Sequence, residues 1–104
     1  MSKLYIDDMR RPPDMTWNLV CDTASAIEYV SSYGCPDEIS FDYCLKDGLT
    51  IMPFIEWLIA QDKASGGAFI PKDFQFDSHS SSILGTQQIL NTLTKYLNAR
   101  KNSS

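Results

Sequence analysis

Leu4-Tyr5-Ile6-Asp7-Asp8, followed by Met9-Arg10-Arg11 and the chain-breaking pair Pro12-Pro13, decides how the rest of this sequence is read. A short apolar run bounded by charge has the pattern of a buried central strand. Here it ends abruptly in two adjacent carboxylates. The pattern returns at Ile39-Ser40-Phe41-Asp42, where a second apolar run delivers a third acid at its end. In an open parallel sheet, ligands bind in the crevice outside the carboxyl ends of the strands. Asp7, Asp8 and Asp42 are therefore expected to converge on one site.

Working outward, Met9 to Met15 is charged or proline and has no room for a long helix. Trp17, Leu19 and Val20 suggest a second strand, its alternation with Asn18 fitting a sheet edge. Asp22 is placed to cap a helix over Thr23 to Tyr33, with Ala26, Ile27, Val30 and Tyr33 as its apolar stripe and Gly34 and Pro36 ending it. Glu38 to Tyr43 reads as the third strand. After Asp47-Gly48, Thr50 caps a second helix with Pro53 in its first turn, burying Phe54, Ile55, Leu58 and Ile59 and stopping near Ala64 to Gly67. Phe74 to Asp77 alternates as an edge strand. The last helix is expected from about Ser82 to Asn98, with Ile83, Ile89, Leu90, Leu93, Tyr96 and Leu97 on its buried face. Strands joined by helices imply right-handed crossovers and a parallel sheet covered on both faces, an α/β three-layer sandwich. The expectation is one domain over residues 1–104, with a core of about 3–97 and a frayed polar tail from 98 to 104.

Composition narrows the function. With 43% hydrophobic and 21% charged residues the chain is an ordinary globular one. No apolar run reaches the ~20 residues that span a bilayer, so no membrane partner is expected. Cys21, Cys35 and Cys44 are odd in number and lack CxxC spacing, which favours reduced thiols and a cytoplasmic setting. A net charge of −4 disfavours extended contact with duplex nucleic acid, while leaving room for a small phosphate ligand.

Four groups carry candidate chemistry. Asp7, Asp8 and Asp42 offer the hard oxygen ligands that Mg²⁺ or Mn²⁺ takes alongside waters and phosphate oxygens. The alternative is that Asp8 caps the loop and Asp7 is solvated. Asp42, held by a central strand, has three candidate roles: metal ligand, general base or phosphoryl acceptor. It also suits a plain strand terminator bonded to loop amides. Ser78-His79-Ser80 precedes a helix, where hydroxyls and a helix N-terminus suit a phosphate group. The unperturbed histidine side chain titrates at ~6.5, which makes His79 a candidate for proton transfer, although a serine cluster before a helix is also ordinary capping. Arg10, two residues beyond Asp8, is the candidate phosphate clamp. There is no P-loop, dinucleotide turn or Gly-x-Ser-x-Gly elbow.

In this order the pieces resemble the receiver fold of response regulators, and more closely its divergent branch, the cyclic-phosphate processing receiver-like domains. The resemblance rests on Leu4 to Arg10, on Trp17 after a shortened first crossover, on Ile39 to Asp42, and on His79-Ser80 with Gly85 beyond. It implies a flavodoxin-like sheet of four parallel strands in order 2-1-3-4. It also implies metal-dependent binding or processing of a phosphate ester, such as a cyclic phosphate on an RNA end or a nucleotide. Asp7, Asp8 and Asp42 would form the acidic pocket, Ser80 would match the hydroxyl residue after the fourth strand, and Arg10 the arginine of the acid loop. The family pattern continues the third-strand acid with His and Asp, where this chain has Tyr43 and Cys44. That departure motivates the alternative expectation, an eroded pseudo-receiver serving as a small protein-interaction or regulatory module. The lysine-bearing fifth strand of ordinary receivers has no counterpart in the sequence, so phosphorelay signalling is not expected.

Overall fold

A computed structural model describes residues 2–9, 11–45 and 48–102. Four short strands, β1 (Lys3–Ile6), β2 (Trp17–Val20), β3 (Glu38–Phe41) and β4 (Gln75–Ser78), form a parallel sheet in the order β2-β1-β3-β4. Ile6 stands beside Val20 on one side and Phe41 on the other, and Phe41 stands beside Ser78. Three helices accompany them: α1 (Thr23–Tyr33), α2 (Met52–Ala64) and α3 (Ile83–Asn102). Sheet order, parallel sense and helix count agree with the sequence reading.

The layering is simpler than expected. The crossovers through α1 and α2 both advance in the same direction across the sheet, so their right-handedness lays both helices on one face. Leu4, Ile6, Ile39 and Phe41 point to that face and are fully buried against Ala26 and Val30 of α1, Phe54, Ile55 and Leu58 of α2, and Ile89 and Leu93 of α3. Burying each such aliphatic or aromatic side chain contributes roughly 1.5–3 kcal/mol, so this one cluster holds the fold together. A helix between β1 and β2 would step the other way and cover the opposite face. The described residues of that connection, 7–9 and 11–16, contain no helix, so the described residues form two layers rather than three. Lys3, Tyr5, Trp17, Glu38, Ser40 and Asp77 belong to the uncovered face by strand alternation. There Lys3 Nζ lies 5.2 Å from the Trp17 ring, and Trp17 meets Tyr5 edge-on at 5.8 Å.

Helix ends follow local chemistry. Asp22 caps α1 by accepting the Ser25 N–H at 2.7 Å, and Gly34, at φ 86°, donates its N–H to the Val30 carbonyl at 2.8 Å. Three expectations are corrected. Ile51 rather than Thr50 occupies the N-cap position of α2 and makes no side-chain cap, while Thr50 Oγ1, one residue earlier, accepts the Met52 N–H at 3.4 Å. Tyr33 and Ile83 are exposed, each lying at a helix end beyond the reach of the sheet. The residues expected to fray continue α3 through Asn102. Arg100 anchors that last turn, donating to Asp62 at 3.2 Å and to the Ile70 carbonyl at 2.9 Å. Asp62 is fully buried and also accepts the Phe69 and Ile70 N–H groups and the Tyr96 hydroxyl. Burial alone would raise the Asp62 pKa, but the Ile70 amide, the Tyr96 hydroxyl and Arg100 together hold it below the usual carboxylate value.

Candidate active site

The candidate residues sit one step past their strands. Each continues the backbone ladder by donating its N–H to the last carbonyl of the neighbouring strand: Asp7 to Val20 at 3.1 Å, Asp42 to Ile6 at 3.1 Å, and His79 to Phe41 at 2.9 Å. Asp7, Asp42 and His79 therefore form a row along the carboxyl edge of the sheet. Side-chain alternation turns that row toward the uncovered face, above Tyr5 and Ser40. Asp8 follows Asp7 into the loop. Oxygens of Asp7, Asp8 and Asp42 all lie within 4.8 Å of one another. Asp7 is almost completely buried, and the other two are half-buried.

Asp7 is held on both carboxylate oxygens. Its Oδ1 accepts the Met9 N–H at 2.8 Å, which fixes the turn into the loop, and its Oδ2 lies 2.9 Å from His79 Nε2. On the other side of the imidazole, Nδ1 is 2.7 Å from Ser40 Oγ. With Asp7 ionised the carboxylate only accepts, so Nε2 donates to it, and when the ring is neutral Nδ1 accepts from Ser40. The ring also stacks on Tyr5 at 4.2 Å with an interplanar angle of 8°. His79 follows β4, two strands from β1, so its side chain must cross β3 to reach Asp7. Ser40 is small enough to let it pass and supplies a hydrogen bond on the way.

Ser40 and Tyr5 were not expected as site residues. The signal for them was parity. Both alternate with the core-facing positions of apolar strands, and Ser40 is a hydroxyl buried in such a strand. Ser80 lies in the lead-in to α3, where its Oγ accepts the Ser82 N–H at 3.1 Å. Ser82 Oγ in turn accepts the Gly85 N–H at 3.0 Å, and Ser78 Oγ pairs with Thr86 Oγ1 at 3.0 Å. The serine cluster thus performs the capping foreseen as the alternative for it. Arg10, the expected phosphate clamp, lies outside the described residues.

Tyr43, just beyond Asp42, has a clear structural use. Its hydroxyl donates to Gln88 Oε1 at 2.9 Å, and its ring covers Gly85 so closely that a Cβ there would fall 2.3 Å from Tyr43 Cγ. The β3–α2 connection and the start of α3 are pressed together at this point.

A parallel β2-β1-β3-β4 sheet with an acid pair after β1 and a single acid after β3 defines a receiver-type α/β domain. The chain belongs to the cyclic-phosphate processing receiver domain family, whose model matches residues 2–95. No curated protein and no solved structure shows significant similarity to it. Among the described residues, no helix is long and apolar enough to cross a membrane.

Proposed function

We propose that the acidic row binds a divalent metal and, with it, binds and processes a phosphate ester, most simply a cyclic phosphate on a nucleotide or an RNA end. The observation that carries this reading is the convergence of the Asp7, Asp8 and Asp42 oxygens within 4.8 Å, in a chain of this family. Three carboxylates this close repel one another. A small hard cation offsets such repulsion, and an all-oxygen set of this size suits Mg²⁺ or Mn²⁺. Such an ion polarises phosphate oxygens and neutralises developing charge.

The chain's own groups supply the rest. Asp7, locked by the Met9 amide and His79, gives the pocket a fixed carboxylate. His79, oriented between Asp7 and Ser40, is the group in position to hold or pass a proton, with Asp42 the second candidate. Ser80 and Arg10 are assigned to the phosphate through the family pattern.

The test is a Mg²⁺ or Mn²⁺ titration followed by amide NMR, then turnover of a 2′,3′-cyclic nucleotide. Saturable shifts at Asp7, Asp8 and Asp42, lost in Asp8→Asn and Asp42→Asn, are expected. No shift at millimolar metal overturns the metal site.

A second reading, an eroded receiver acting as an interaction module, draws on Tyr43, which stands where the family pattern has histidine and is committed to Gly85 and Gln88. It requires that Asp42→Asn leave biological activity intact while charge reversals on an exposed helix face abolish it.

A further inference from the structure

The chain carries −4 net charge, yet four of its nine lysines and arginines line a single groove of about 950 Å³: Lys63, Lys72, Arg100 and Lys101. The groove lies between the end of α2, the loop leading to β4 and the last turns of α3. The helices run back against the strands, so this is the amino edge of the sheet, the end away from Asp7, Asp8 and Asp42. We propose that this groove is a separate binding site for a nucleotide, taken through its phosphates.

Three observations support a phosphate-bearing ligand with an apolar part. Among the described residues, no carboxylate lines the groove. Asp62, which Arg100 reaches from the groove wall, is fully buried and held by Arg100, Tyr96 and two backbone amides. Asp73, next to Lys72, lines a neighbouring cleft with Asp37 and Glu38 instead. The groove walls also contain Pro71, Phe74 and Leu97, an apolar surface on which a base or sugar can lie. A space of this size falls within the range of small-molecule sites.

Backbone geometry keeps the groove open. Gly66 and Gly67 adopt φ of 72° and 87°, conformations that side-chain-bearing residues rarely take. A Cβ on Gly67 would sit 3.3 Å from Arg100 Cδ and crowd the guanidinium stem. Lys63 extends along the Tyr96 ring, 5.7 Å from its centroid, which places its ammonium at the rim.

The experiment uses the full chain in EDTA, so that no metal-dependent binding at the acidic row contributes. ATP, inorganic triphosphate and a glutamate-rich peptide of matching charge are titrated separately and followed by amide NMR. ATP is expected to shift Gly66, Gly67, Lys72 and Ala99 saturably, with triphosphate weaker at the same residues. Asp42→Asn should bind ATP as the parent does. Lys63→Glu combined with Lys72→Glu, both exposed and outside the Asp62 network, should weaken binding by about tenfold or more while keeping the dispersed spectrum of the folded chain. Shifts confined to the acidic row, no saturable shift at millimolar ATP, equal binding of the acidic peptide, or unchanged affinity in the double reversal would each overturn the proposal. A failed metal titration at the acidic row leaves this result standing, and the reverse holds too.

Discussion

Gly85 and Tyr43 show how tightly one residue can constrain the approach to the site. A methyl group at position 85 would meet Tyr43 Cγ, Cδ2 and Cβ at 2.3, 2.5 and 2.7 Å. These atoms lie near the root of the side chain, so rotation of the ring does not relieve the clash. Gly85→Ala should therefore destabilise the protein by about 1–3 kcal/mol, as overpacking does, despite the better helix propensity of alanine. Adding Tyr43→Ala should restore part of that loss, which a double-mutant cycle in urea would measure. Equal, additive effects would mean that α3 shifts to make room. A second residue-scale contrast concerns the thiols. Burial, reinforced by Asp62 and Asp37, pushes the Cys35 thiol up to about 12, whereas Cys21 and Cys44 are exposed. Iodoacetamide at pH 8 should modify two cysteines in the native chain and the third only after denaturation, read directly by intact mass. Equal labelling of all three would contradict the partial burial and raised pKa of Cys35.

At the scale of elements, Asp62 joins α2, the loop before β4 and α3. The burial that would raise its pKa is outweighed by its hydrogen-bond donors, so the folded value lies below the unfolded one of about 3.9. The resulting stabilisation is fully present above that unfolded value and is lost as pH falls toward the folded one. Asp62→Asn should cost about 3 kcal/mol at pH 7, since it leaves Arg100 facing a neutral amide, and the gap from the parent should narrow below pH ~4. Urea melts at pH 7 and pH 3 test both statements, and a constant gap would remove the charge from the explanation. None of this network was legible in the sequence. Asp62 occupies a core-facing position of α2 and breaks its apolar pattern, but its donors come from positions 69, 70, 96 and 100, which no local spacing connects. For the same reason, a tail that reads as polar and frayed is helical through Asn102. By contrast, α1 was read to its boundary residues, because Asp22 and Gly34 are local signals.

For the whole molecule, the order of strands was legible through the family resemblance, which rests in part on acids ending apolar runs, while the number of layers was not. Crossover handedness puts α1 and α2 on one face, but assigning a helix to the other face depended on the β1–β2 connection, which is too short and proline-rich to form one. The same handedness argument explains why the site was only half legible. The three acids are set by strand ends and were found. The Ser40–His79–Asp7 chain depends on a ring crossing an intervening strand, which only the assembled sheet reveals.

That chain joins residues 72 positions apart and spans from the centre of the sheet to its rim. Asp7 and Asp42 follow β1 and β3, which are paired on both sides, whereas His79 follows β4, paired on one side alone. Native-state hydrogen exchange typically finds outer strands opening at lower free energy than inner ones. In mild denaturant, the β4 amides should exchange while those of β1 and β3 remain protected. The acids would then stay assembled after the imidazole has swung away, so any proton-transfer chemistry should fail before any metal affinity does.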